Sequence, residues 1–176
     1  MLENINPYKV LIRTGLLNDA KIILDIQQVV ISENEFMITV SEEFNKSIDQ
    51  QRKWIQKIID NERETIIVAE LNGIVVGWLV LQSQNRKRLY HTGSLGMMIH
   101  KDFRELGIGK MLINELLHWA ELNPLIEKVC LGVLSTNLRA IALYKSMGFV
   151  EEGRKVKAIK LNANKYVDDI LMYKMV

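Results

Sequence analysis

Apolar positions along this 176-residue chain alternate, run together or recur at helical spacing in a definite order, and that order predicts its elements. Tyr8 to Arg13 alternates and is β-rich, predicting a strand; Gly15 breaks it, and Asn18 or Asp19 can cap a helix running to about Val30. Ser32 to Ser47 is rich in Glu, Ser and Asn without periodic apolar positions, and reads as a loop with room for a short helical turn on the substrate side. Ile48, Trp54, Ile55, Ile58 and Ile59 then share one face of a second helix that ends near Asn61. Thr65 to Leu71 and Ile74 to Leu81 are β-branched runs separated by Asn72-Gly73, the dipeptide suited to the two positive φ angles of a type I′ hairpin turn.

Arg86-Lys87-Arg88 reads as a solvated loop tip, and Leu89 to His100 as the longest candidate strand. The loop His100 to Leu106 leads into a helix from Gly107 to about Leu122, stopped near Pro124. Lys128 to Leu134 is a buried strand, after which Ser135 or Thr136 caps a short helix closed by Gly148. Phe149 to Ile159 and Lys165 to Met175 end the chain as an antiparallel pair joined near Asn162 to Asn164. The pattern is that of an α/β (α+β) chain, and with no internal repeat or linker, residues 1–176 read as a single domain.

Composition narrows the function classes. Hydrophobic residues make up 48% of the chain, enough for one sizeable core, and 23 Lys plus Arg against 21 Asp plus Glu leave a formal net charge of only +2. Such a balance gives no single-sign field to recruit nucleic acid or an anionic membrane. Met1 to Val10 has neither a basic n-region nor an apolar h-region, and no apolar run approaches the roughly 18 residues of a membrane span, so a cytoplasmic protein is expected. Cys130 is the single cysteine; no Cys/His cluster has metal-ligand spacing, no metal is expected, and Cys130 itself reads as a buried small hydrophobe rather than a nucleophile.

Two stretches carry candidate chemistry. In Arg104-Glu105-Leu106-Gly107-Ile108-Gly109-Lys110, two glycines flank an apolar residue where a helix starts after a strand, and the free N–H groups there form an anion cradle. Alternatively, the glycines only allow the helix to pack closely on the sheet. The third glycine and downstream acid of a dinucleotide fold are missing, and Met111 stands where a P-loop needs a hydroxyl. Asn137 and Tyr144 lie seven residues apart on the short helix, within about 20° around its axis, with Ala140 and Ile141 between them. Such a stripe suits a narrow, partly apolar ligand; alternatively, Asn137 caps the helix and Tyr144 is core.

Arg104-x-x-Gly107-x-Gly109 after a long strand, then Asn137 and Leu143-Tyr144-Lys145-Ser146-Met147-Gly148-Phe149, resemble the coenzyme A-binding and acyl-transfer motifs of the GNAT superfamily of N-acetyltransferases. The element order matches over essentially the whole chain. Asp168-Asp169-Ile170-Leu171-Met172 resembles the last strand of bacterial members, including the phosphinothricin-type and ribosomal-protein-alanine-type enzymes.

The resemblance implies a mixed, mostly antiparallel central sheet of about six to seven strands flanked by about four helices and splayed between the fourth and fifth strands. It implies acetyl-CoA as cosubstrate, its pyrophosphate on backbone N–H groups from Arg104 to Lys110 and its pantetheine amides paired to the strand edge at Met97, Met98 and Ile99. Asn137 would bond the pantetheine arm beside Ala140, and Tyr144 would sit by the thioester sulfur as the catalytic residue. A homodimer is allowed, as in many relatives.

The implied reaction is direct attack by a primary amine of a small molecule in a ternary complex. The alternatives are a protein N-terminus or lysine as acceptor, and a CoA-binding module without catalysis. A lysine-like amine is only about 0.1% neutral near pH 7.4, so a base is expected. The family's usual strand glutamate is missing from Leu89 to His100, which leaves His91, Ser94 and His100, or Glu33, Glu35, Glu42 and Glu43 from the loop, acting through water. A backbone N–H near Met98 or Ile99 would meet the oxyanion.

Overall fold

The computed structural model describes residues 9–176; the expected strand start at Tyr8 and the segment before it lie outside the described residues. The elements are β1 (Val10–Thr14), α1 (Ala20–Ser32), α2 (Ile48–Ile59), β2 (Thr65–Leu71), β3 (Ile74–Ser83), β4 (Thr92–Ile99), α3 (Ile108–Leu122), β5 (Lys128–Leu134), α4 (Leu138–Ser146), β6 (Val150–Asn162) and β7 (Lys165–Met175). The strands form one sheet in the order β1-β2-β3-β4-β5-β7-β6. Every neighbouring pair is antiparallel except β4 and β5, which run parallel and pair only at Thr92 with Lys128, Gly93 with Val129 and Ser94 with Cys130. Beyond Ser94 and Cys130 the two strands diverge, which is the splay expected between the fourth and fifth strands.

β2 and β3 read as continuous apolar runs because both of their faces are covered. Ile67, Ala69, Leu79 and Leu81 point to one side, where Leu112, Ile113 and Leu116 of α3 pack. Ile66, Val68, Trp78 and Val80 point to the other, against Ile23 and Ile26 of α1 and Ile55 and Ile58 of α2. Asn72 (φ 51°) and Gly73 (φ 84°) are both left-handed, as a type I′ turn requires. Ser47 caps α2, exchanging hydrogen bonds with Gln50 in a capping box. Among the described residues, no helix is long and apolar enough to cross a membrane.

Three local expectations differ from the structure. The strand expected from Leu89 starts at Thr92, because Lys87–Leu89 closes a 3-10 turn, and β6 at 13 residues is the longest strand instead. Helix α4 is capped by Asn137 rather than Ser135 or Thr136; the Asn137 Oδ1 accepts from the Ala140 N–H at 3.1 Å, while the Ser135 hydroxyl accepts from the Asp168 N–H at 3.1 Å. Asp19 sits at the N-cap of α1, but its carboxylate accepts from the Leu16 N–H at 2.7 Å and receives both Nη atoms of Arg13 at 2.8 and 2.9 Å.

Arg13 also donates Nε to Glu70 at 3.0 Å, so one guanidinium ties β1 to β2 and to the start of α1. Desolvation works to raise the Asp19 pKa, but the Arg13 and Leu16 donors outweigh it and hold the carboxyl below its ordinary value of 3.8. A depressed carboxylate adds stability that is complete above the unfolded value and is lost as pH falls through the lower folded value. Asp19→Asn should therefore cost about 1–3 kcal/mol at neutral pH and remove that part of the acid destabilisation, as read by thermal melts at pH 7 and pH 3.

Candidate active site

The loop from β4 to α3 is shaped by its backbone. Arg104 (φ −74°) is followed by Glu105 at φ 67°, and Gly107 at φ 78° is the N-cap of α3, so left-handed residues alternate with ordinary ones. This alternation turns successive N–H groups toward one concave side, an anion-binding nest that runs into the first turn of α3. The first intrahelical bond is made by the Met111 N–H to the Gly107 carbonyl at 3.1 Å, which leaves the N–H groups of Ile108, Gly109 and Lys110 without helical acceptors. The two glycines serve different needs. A Cβ on Gly107 would meet nothing within 4 Å, so its positive φ is what requires glycine, whereas a Cβ on Gly109 would lie 3.0 Å from Leu143 Cδ2. The packing alternative thus holds for Gly109 and not for Gly107.

The Arg104 side chain turns away from the nest. Its Nη atoms bind both oxygens of Glu33 at 2.6 Å each, and its Nε donates to the Ile99 carbonyl at 3.1 Å. Glu33 ends α1 and is followed by Asn34 at φ 53°, which swings the chain into Phe36 to Thr39. One guanidinium therefore fixes the end of β4 and the entry to the loop after α1.

A cavity of about 650 Å³ runs from the nest through the divergence of β4 and β5 to the far side of the sheet. β4 pairs with β3 through Met97 to Ile99 on one edge, while its other edge is open to the gap. Met97 and Ile99 face the α3 side and Met98 the α1–α2 side. From α4, Asn137, Ala140, Leu143 and Tyr144 form the wall. Tyr144 is 8% exposed and packs edge-on against Phe149 at 5.9 Å, and its burial pushes the phenol up to about 12. On the far side the lining is Val30, Phe36, Met37, Ile38, Thr39 and Trp78, with Asp169 of β7.

The family model described as Acetyltransferase (GNAT) family matches residues 31–149, which span the nest, the divergence and α4. The chain belongs to the GNAT acetyltransferases. It is similar to the L-amino acid N-acetyltransferase AaaT of Escherichia coli, with 29% identity over 119 residues covering 68% of this chain and 73% of the relative. A GNAT-family acetyltransferase structure from Streptococcus pneumoniae superimposes with a TM-score of 0.90 at 26% identity, covering 96% of this chain and all of that one. The yncA acetyltransferase structure from Salmonella typhimurium, solved with its cofactor acetyl-CoA, shares the fold with a TM-score of 0.86 at 18% identity, covering 95% and 94%.

Within this acetyltransferase, every residue expected to touch acetyl-CoA lines the cavity except Leu106, whose side chain packs against the main core, and of the motif Leu143 to Phe149 only Leu143 and Tyr144 reach it. Ile141 also packs on that core and is not part of the wall. None of the expected bases lines it. His91 lies at the opposite end of β4, where its carbonyl accepts from Glu127 and Lys128; Ser94 is exposed; and His100 packs on Phe103 at 5.7 Å. Glu33 is committed to Arg104, and Glu35, Glu42 and Glu43 are exposed outside the wall. Cys130 is half-buried rather than buried, its thiol pushed up by desolvation, and it too is outside the wall. Besides Glu105 of the nest, one acidic residue lines the cavity, Asp169, which the sequence offers only within a strand resemblance. Its signal is a carboxylate in an apolar strand whose register pairs it with Leu134 of β5 and leaves its side chain over the diagonal neighbour Gly132.

Glu33→Ala should release Arg104 and with it the loop after α1. Amide exchange at 36–39 is expected to accelerate about tenfold or more while the strands keep their protection, as read by hydrogen exchange with mass spectrometry.

Proposed function

We propose that this chain, as one N-acetyltransferase domain over residues 1–176, transfers the acetyl group of acetyl-CoA to a primary amine of a small molecule by direct attack in a ternary complex. The observation that carries the reading is the cavity itself. It crosses the sheet where β4 and β5 separate, joining an anion nest on the α3–α4 side to an apolar chamber on the α1–α2 side. Two substrates can thus enter from opposite faces and meet in the gap.

The residues fit acetyl-CoA. The nest from Arg104 to Lys110 presents backbone donors to a pyrophosphate, and the open edge of β4 at Met97 to Ile99 offers alternating N–H and carbonyl groups to the pantetheine amides. Asn137 and Ala140 flank that arm, which leads to Tyr144. When bound, acetyl-CoA supplies an acyl thioester, already activated toward an amine. With its phenol raised to about 12, Tyr144 keeps its proton at neutral pH, so it serves as a hydrogen-bond donor to the sulfur and not as a base. Cys130, outside the wall and with a raised pKa, supports direct attack over a cysteine-linked route.

Two measurements test the reading. Calorimetric titration should show binding of acetyl-CoA and not of NAD or ATP, and Tyr144→Phe should keep that binding while lowering kcat by about 10²-fold in a thiol-release assay. Absence of acetyl-CoA binding would overturn the enzyme reading, and binding without turnover on any amine would make the chain a CoA-binding module.

A further inference from the structure

The far half of the cavity has a chemistry of its own. Its walls there are the largely apolar Val30, Phe36, Met37, Ile38, Trp78 and Met98, with Thr39 the one hydroxyl among them. The charged residues of the lining divide unevenly: Glu105, Lys110 and Arg139 belong to the nest and the start of α4, Arg104 turns its guanidinium to Glu33 at the end of α1, and beyond the gap Asp169 is the one carboxylate among the described lining residues. Arg104 is neutralised by Glu33, and Arg139 lies 3.7 Å from Glu105.

Asp169 sits in a prepared seat. A Cβ on Gly132 would lie 2.8 Å from its Oδ1, so a glycine in β5 is what lets the carboxylate lie over the strand. Its side chain is 16% exposed, and its partner is Lys155 at 3.2 Å, a lysine 61% exposed on β6 that can swing into solvent. Neighbouring Asp168 is used differently, accepting from the Lys157 N–H at 2.8 Å and from Arg154 at 3.3 Å, and does not line the cavity.

We infer that the acceptor is a small monoamine with an apolar body, whose ammonium is received by Asp169 in place of Lys155 and whose body fills the chamber between the α1–α2 loop and Trp78. This rests on the acetyltransferase reading above and names the substrate class of the same site. A polyamine would bring several cations to a chamber with one carboxylate, and each unpaired cation would be desolvated against apolar walls at a penalty. An amine carrying a hydrocarbon group instead buries that group and presents one charge to one carboxylate.

The test compares thiol release from acetyl-CoA with 2-phenylethylamine, spermidine and an alanine-led peptide as acceptors, using the full chain. Phenylethylamine is expected to have the highest kcat/KM. Asp169→Asn should raise its KM by about tenfold or more with the calorimetric Kd for acetyl-CoA unchanged, and Asp169→Glu should recover part of the loss. Gly132→Ala, which displaces the carboxylate without removing it, should raise the same KM and provides the test should Asp169→Asn fail to fold. Preference for spermidine or the peptide, or an unchanged amine KM in Asp169→Asn, would overturn the inference while leaving the acetyltransferase standing. Failure of the unmodified protein to bind acetyl-CoA would instead overturn the underlying reading and this inference with it.

Discussion

The site depends on how little of β4 and β5 is paired. Three parallel residue pairs hold the two halves of the sheet together, and past them β4 and β5 are no longer paired. Longer pairing would close the gap and fill it with backbone hydrogen bonds; none at all would leave two separate sheets. Because β4 and β5 are parallel, the helices that follow them, α3 and α4, both begin at the same end of the gap, with their N-termini at its mouth. The nest, the open edge of β4 and the α4 wall are all consequences of that one short pairing.

Holding the nest open requires conformations that the chain does not favour. Glu105 adopts φ 67° without being a glycine, an arrangement that costs about 1–2 kcal/mol for an ordinary residue. It persists where the surroundings over-determine it. Gly107 on one side supplies a second left-handed residue at no steric cost, and on the other side Arg104 is anchored at three points, to both oxygens of Glu33 and to the Ile99 carbonyl. Leu106, half-buried against core side chains, pins the centre of the turn.

What was legible in the sequence is what is local. The Asn72-Gly73 hairpin, the start of α3 at a glycine and the terminal strand pair each depend on a few adjacent residues, and each lies where the pattern put it. The mixed sheet and its divergence came through family resemblance, and the full strand order is seen only in the structure, since no periodicity specifies which edges meet. The loop after α1 misled: its glutamates drew attention as bases, but the structure lines the cavity with Phe36 to Thr39 and leaves Glu35, Glu42 and Glu43 exposed outside it. Asp169 stayed hidden for the opposite reason. Its meaning comes from Gly132 on a different strand, and that neighbour is set by the β5–β7 register alone.

The cap on α4 has a consequence for what can lie along the cavity wall. A side-chain amide has one end that accepts hydrogen bonds and one that donates, and Asn137 commits its accepting end to the Ala140 N–H. The NH₂ end keeps both of its donors for a ligand. The helix cap therefore makes the wall polar in one sense: a chain passing Asn137 is met by a donor and must bring a carbonyl or another lone pair to that height. An aspartate there would cap the helix equally well but would present oxygen to oxygen, so capping strength and ligand reading are separable demands that one amide satisfies together.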